Sequence, residues 1–314
     1  MQTLKEIILN FRVKWPILSI IALTSFSNPI SGQTVFPNDP DSAKIHTEDI
    51  ALFWKVFNAT TPGFDGKTFK KEYLDAGSEG LKGFIKMRIE SGENLSKTIK
   101  ENVAYYNAIR NSSLSIENKR DTLQKHLKNF KIKYPAAVFP DVYFVIGAKN
   151  SGGTVFNGGL IVGAEMFGKE SDNFKPRLNI EVIDLVVIHE LVHFQQKYIT
   201  DNTLLAQSIK EGAADFICEL VTGSHSNKPI YEYGNSHEKE LWLEFKEKMH
   251  SKDWKPWLYG SKDNSRPQDL GYWMGYRIVK AYYYNMEDKS KAIDDILNIN
   301  NFKEFLQKSG YNPQ

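Results

Sequence analysis

Val186-Val187-Ile188-His189-Glu190-Leu191-Val192-His193-Phe194-Gln195-Gln196 is the stretch on which the reading of this chain turns. It holds H-E-x-x-H inside an apolar, helix-compatible run. Positions i and i+4 of a helix share a face, so His189 and His193 can offer ring nitrogens to one metal ion with Glu190 beside them. The plain alternative is a helix carrying two unrelated histidines. Against it, Ile183, Val186, Val187, Leu191, Val192 and Phe194 predict a helix enclosed by protein, where two imidazoles and a carboxylate are costly without a task.

Length and composition set the frame. The 314 residues, 41% hydrophobic with formal charge +2, give ample material for a core and nothing that favours nucleic acid as a partner. Residues 1–33 read as an export signal. Lys5, Arg12 and Lys14 precede the apolar run Pro16-Ile17-Leu18-Ser19-Ile20-Ile21-Ala22-Leu23, and small and polar residues lead to Ser31-Gly32-Gln33. That run is too short to span a bilayer comfortably, so the expectation is an exported protein, periplasmic or secreted, with no stable membrane span after removal of the signal near Gly32 or Gln33. An uncleaved anchor is the competing reading. No cysteine lies near the junction, which argues against a lipid-bearing N-terminal Cys. Cys218 is the only cysteine, so no intramolecular disulfide forms, and on its helix it reads as a small core residue.

Residues 34–314 read as one domain in three parts. From Ile45 to about Lys133, within a helical part 45–135, apolar stripes recur: Ile50, Phe53, Trp54 and Phe57 after Thr47 as N-cap, then Leu81, Phe84, Ile85 and Ile89, then Leu95, Ile99, Val103 and Tyr106, then Leu123, Leu127 and Phe130. Pro62-Gly63 and Asp65-Gly66 break the first helix. Part 136–200 carries the strand-like runs Asp141–Gly147 and Gly159–Gly163, then the motif helix over about Ile180–Tyr198. The loop Lys149-Asn150-Ser151-Gly152-Gly153-Thr154 looks superficially like a phosphate loop, but Gly153 stands where the phosphate-binding lysine belongs. Its glycines read as a turn, or as keeping a sheet edge open to another backbone. Part 201–314 is again helical, with Leu241, Phe245 and Met249, then Leu270, Met274 and Ile278, then Phe302, Phe305 and Leu306 as core stripes. Trp254, Trp257 and Tyr259 sit in a connection that could border a cleft.

The helix over Ser208–Cys218 completes the constellation. A zinc hydrolase needs a third protein ligand and an open fourth position, and Glu211 is well placed to supply the former. Asp215, one turn on, can take the outer N–H of a ligating histidine, with His189 the expected partner. Gly212, Ala213 and Ala214 allow close approach of the two helices. An exposed acidic pair is the ordinary alternative for Glu211 and Asp215. The pattern H-E-x-x-H-x-x-G-x-x-H fails, because Gln196 and Ile199 occupy the glycine and histidine positions.

His189-Glu190-x-x-His193 followed by Glu211-x-x-x-Asp215 resembles the gluzincin metallopeptidases. The wider chain resembles the domain-of-unknown-function 2268 family of predicted zinc-dependent proteases, with relatives near the gliding motility lipoprotein B group. The carriers are Ile45-His46-Thr47-Glu48-Asp49-Ile50 with Phe53-Trp54, the Gly80-Leu81 helix, the metal helices, and Arg266-Pro267-x-x-x-Gly271-Tyr272-x-x-Gly275-Tyr276. The resemblance implies an α+β, mainly helical zincin-like metalloprotease fold with a small sheet, Zn2+ as cofactor, and a peptide or protein substrate. One departure is Lys210, where thermolysin-like members often carry asparagine before the glutamate, so His193 needs a different outer partner.

The chemistry expected is hydrolysis in which His189, His193 and Glu211 hold zinc and Glu190 acts as general base. For the oxyanion the best region is Gly271–Arg277, where Tyr272 and Tyr276 share a helical face; an aromatic core helix with Ile278 and Tyr282 is the competing reading. His225 and His237 read as surface residues. An extended peptide is expected to pair with the edge at Gly159–Gly163. The alternatives are a catalytically silent structural or envelope-assembly protein that keeps the fold, and hydrolysis of a non-peptide amide. The sequence assigns no oligomeric state.

Overall fold

In the computed structural model, which describes residues 35–171, 173–260 and 266–313, the order of elements follows the alternation of helical and strand-like patterns. The expected export signal over residues 1–33 lies outside the described residues. A short strand β1 (Ile45–His46) comes first, then α1 (Glu48–Thr60), α2 (Gly66–Phe69), α3 (Glu79–Phe84), α4 (Gly92–Glu101), α5 (Val103–Leu114) and α6 (Arg120–Lys133). Wide π-turns extend α2 through Lys70–Leu74 and α3 through Ile85–Ile89. The stripe Ile50, Phe53, Trp54 and Phe57 is buried, as the spacing requires. Asp65, Ser78 and Ser91 cap α2, α3 and α4 by accepting from the N–H of Thr68, Leu81 and Asn94.

Two details differ from the sequence reading. Ile45 and His46 are strand rather than the start of a helix, paired in parallel with Val142 and Tyr143. A two-residue strand has no periodicity to read, and its partner lies far down the chain. Thr47 occupies the N-cap position, but its hydroxyl turns to Glu117 and Arg120 and leaves the helix end uncapped by a side chain.

The sheet contains β1, β2 (Asp141–Val145), β3 (Thr154–Phe156) and β4 (Gly159–Gly163) in the order β1-β2-β4-β3. β2 pairs in parallel with β4, and β3 folds back antiparallel onto it across Asn157-Gly158. The expected open edge at Gly159–Gly163 is therefore an interior strand, and the edge belongs to β3. Asn-Gly between two extended runs is a strong hairpin signal, and it is what covers β4. A separate parallel pair joins β5 (Phe167–Gly168) to β6 (Leu178–Asn179).

A 3-10 turn, Ile180–Val182, leads into α7 (Ile183–Gln195), which stops short of Tyr198 because Gln196 is extended. α7 packs against β3 and β4 on one side and α8 (Leu204–Thr222) and α6 on the others, so nearly all its residues are buried. Thr203 caps α8, and Gly223 ends it in the left-handed conformation. The chain then continues through α9 (Lys228–Ser236), α10 (Glu238–Lys248), α11 (Leu270–Asn285), α12 (Lys289–Leu297) and α13 (Phe302–Ser309).

α8 and α11 touch backbone to backbone. A Cβ on Gly275 would stand 1.7 Å from the Ser208 carbonyl oxygen, and one on Gly212 would stand 2.0 Å from the Tyr276 nitrogen. The result is a mixed α+β molecule, mostly helical, with its small sheet against α7. Among the described residues no helix is long and apolar enough to cross a membrane.

Candidate metal centre

α7 and α8 bring His189, His193 and Glu211 to one point. His189 Nε2 lies 3.0 Å from His193 Nε2, and Glu211 Oε2 lies 3.1 Å from the second and 3.4 Å from the first. All three side chains are buried. They form a group able to hold a metal ion.

The outer atoms fix the protons. His189 Nδ1 lies 2.9 Å from Asp215 Oδ1, a carboxylate that can only accept, so Nδ1 carries hydrogen. His193 Nδ1 lies 2.8 Å from Gln196 Oε1; the amide is oriented by its own Nε2, which donates to the Lys210 carbonyl at 2.8 Å. With both Nδ1 atoms donating, each neutral imidazole turns a lone pair inward. Two lone pairs and a carboxylate oxygen then converge on one point, an arrangement that calls for positive charge at its centre, a metal ion or, without one, a proton on an imidazole Nε2. Ligands about 2.0–2.1 Å from a tetrahedral zinc stand about 3.3 Å apart, which the three separations fit.

Electrostatics agrees. Burial alone would depress the His189 imidazole, but the hydrogen bonds and charges of Asp215 and Glu211 outweigh it and raise it to about 10. Burial would likewise raise Glu211, yet the His193 charge and the hydrogen bonds from both imidazoles hold it well below the usual carboxylate range. The pocket favours positive charge at its centre. Asp215 is itself held by Asn227 Nδ2 at 2.7 Å and the Tyr231 hydroxyl at 2.8 Å, both on Oδ2.

Glu190 is buried beside this group, and its Oε1 has no hydrogen-bond partner. The glycine loop lies on it: a Cβ at Gly153 would approach Oε1 to 2.6 Å. This close contact is the structural use of Gly153. Burial raises the Glu190 carboxyl, the two imidazoles and Arg88 pull it down, and Glu211 pushes it up, with a net rise.

The two tyrosines part company. The Tyr272 ring stacks on His189, with centroids 6.1 Å apart at 22°, and its buried hydroxyl has no partner. Tyr276 is not brought to the cluster: its hydroxyl donates to Glu219 and accepts from Lys280 at 2.9 Å, while Phe216 and Tyr231 pack on its ring. One turn of α11 separates them, enough to carry Tyr276 past the ligands. Sequence reasoning set Tyr259 only in a connection bordering a cleft; its hydroxyl donates to Glu211 Oε1 at 2.9 Å. Gln196 appeared only as the residue that spoils a rival motif, although its place three residues after His193 was the available signal. His225 is buried rather than on the surface, because the Tyr231 and Tyr276 rings cover it. His237 bonds the Tyr233 carbonyl and stays apart.

A family model described as gliding motility protein GldB, a lipoprotein family, matches residues 37–313. No curated protein and no solved structure matches the chain.

Proposed function

The chain belongs to the gliding motility protein GldB family, and from its buried centre we propose that it is an exported zinc-dependent peptidase with a zincin-like active site. One observation carries the reading: three inward-facing acceptors, His189 Nε2, His193 Nε2 and Glu211 Oε2, converge beside a buried carboxylate oxygen of Glu190 that has no bond of its own. His189, His193 and Glu211 would hold the ion. Bound zinc supplies Lewis acidity and eases ionisation of a coordinated water.

The rest is done by the chain's own groups. Glu190 Oε1 takes a proton from the attacking water and returns it to the leaving amine, a task that its burial-raised proton affinity suits. Tyr272 donates its unpartnered hydroxyl to the carbonyl oxygen as negative charge develops there. Asp215 and Gln196 hold the two imidazoles in the tautomer that ligation needs, and Tyr259 fixes Glu211. Export is supported by the basic, then apolar, opening of the sequence and by the family's lipoprotein designation. The sole cysteine, Cys218, is buried in α8, so export here rests on that opening rather than on a lipid-bearing cysteine.

A second reading, a metal-braced envelope-assembly protein without catalysis, is favoured by the low exposure of Glu190, His189 and His193, which are 1%, 4% and 7% accessible. One experiment separates the two. Zinc content and cleavage of an unfolded protein are measured together for wild type, Glu190→Gln and Glu211→Ala. The peptidase reading expects about one zinc and cleavage in wild type, zinc without cleavage in Glu190→Gln, and neither in Glu211→Ala. Full zinc occupancy with no cleavage in wild type supports the assembly reading.

A further inference from the structure

Arg88 is the charged group near Glu190 that this scheme leaves without a task. It lies in the π-turn that extends α3, and only 7% of it is accessible. Its guanidinium makes one long bond, from Nη1 to the carbonyl of its own neighbour Met87 at 3.3 Å, and its buried Nε has no partner. Among the described residues no carboxylate lies within 4 Å of it. A guanidinium this little exposed, with Nε buried and unpartnered and one long local acceptor on Nη1, is costly to bury, and such a group calls for a partner from outside.

Its position says where that partner would come from. The Arg88 carbonyl accepts from Asn150 Nδ2 at 2.7 Å, and Asn150 stands in the same loop as Gly153, the residue pressed against Glu190. Glu190 is the charge that acts on the guanidinium, which burial otherwise drives down. Yet Glu190 Oε1 remains unbonded and no ion pair joins the two groups, so each feels the other's charge without pairing. A planar guanidinium with free donors matches a carboxylate in a two-bond fork.

We propose that Arg88 is the receptor for a carboxylate of the substrate, so that the site takes peptides carrying a carboxylate close to the bond that is cut. The proposal rests on the peptidase reading. The carboxylate has two sources, the C-terminus of the peptide or an acidic side chain, and the test carries an arm for each.

Zinc-loaded wild type is given one peptide sequence in four forms: free acid or C-terminal amide, each with Glu or Gln beside the scissile bond. One charged form should exceed its neutral partner about 10- to 100-fold in kcat/KM, and Arg88→Gln should level the two with zinc content unchanged. Arg88→Lys, which keeps charge but not the fork, should retain part of the preference. Binding is measured separately by calorimetry in zinc-loaded Glu190→Gln, with N-acetyl-glycyl-glycine against its amide and N-acetyl-aspartate amide against N-acetyl-asparagine amide. The acid of one pair should bind about 10- to 100-fold more tightly, a difference lost when Arg88→Gln is added. Equal binding of acid and neutral probes overturns the proposal, as does a preference that survives Arg88→Gln at full zinc occupancy. Absence of all peptide cleavage with the acid preference intact overturns only the peptidase reading. Equal binding of acid and amide in chains carrying wild-type Arg88 overturns the proposal even if Arg88→Gln does not fold, and Arg88→Lys then carries the positive arm.

Discussion

At the scale of single residues, the centre is defined by where hydrogens are forced to sit. Asp215 and Gln196 each lead an imidazole to donate outward, which leaves its other nitrogen to face the point where His189, His193 and Glu211 converge. Removing Asp215 as Asp215→Ala should weaken zinc binding about 10- to 100-fold, read by competition with a chromogenic chelator. An unchanged affinity would show that the His189 tautomer needs no such support. Glu165 offers a pH test away from the ligands. It is fully buried, with Oε1 accepting from the Lys149 N–H at 3.1 Å and Oε2 unpartnered. Burial raises its carboxyl from 4.5 to about 7 against the pull of the Gly147 and Lys149 N–H groups. Between those values the folded chain holds a proton that the unfolded chain has lost, so stability falls as pH rises through the window and levels off above it. Glu165→Gln should remove this slope, a difference of roughly 3 kcal/mol in urea unfolding compared at the two ends of the window. Parallel pH profiles for the two proteins would refute the assignment.

Among the elements, the contact of α8 with α11 sets the position of both Glu211 and Tyr272. Gly212 and Gly275 permit it, since a Cβ on either would press into backbone that has no free direction to move. Gly275→Ala should therefore cost about 3 kcal/mol in denaturant unfolding and loosen zinc binding with it, because the helix bearing Glu211 must shift. Wild-type stability in this variant would mean that the helices part without loss. The small residues beside Glu211 were legible in the sequence as a sign of close approach, and α8 does pack on α7, but its second partner, α11, was not legible. Gly212–Ala214 suggested contact with α7, whereas Gly212 meets α11. Likewise Asn157-Gly158 carried the hairpin signal that makes β3, and not β4, the edge of the sheet.

For the molecule as a whole, the buried centre joins α7 to α8, and α8 in turn to α11, so metal binding should be felt as global stability. Zinc at 1,000 times its dissociation constant stabilises a folded protein by about 4 kcal/mol, which for a chain of this size raises Tm by on the order of 8 °C. Thermal unfolding of the zinc-loaded protein with and without a chelator should show that shift, and His189→Ala with His193→Ala should abolish it. A chelator without effect on Tm would separate the centre from the fold's stability.

What the sequence determined alone was local. H-E-x-x-H on an apolar run, a glutamate and an aspartate one turn apart on the next helix, and the buried stripes of α1 to α6 all depend on spacing along one chain segment, where helical period ties residue number to direction. What tertiary structure decided was pairing across segments. It set Gln196 behind His193, Tyr259 on Glu211, Gly153 against Glu190 and Arg88 beneath the same loop, and it sent Tyr276 to Glu219. The physical reason is that a side chain's partner is fixed locally only within a turn or two of helix; beyond that, packing of the elements places it.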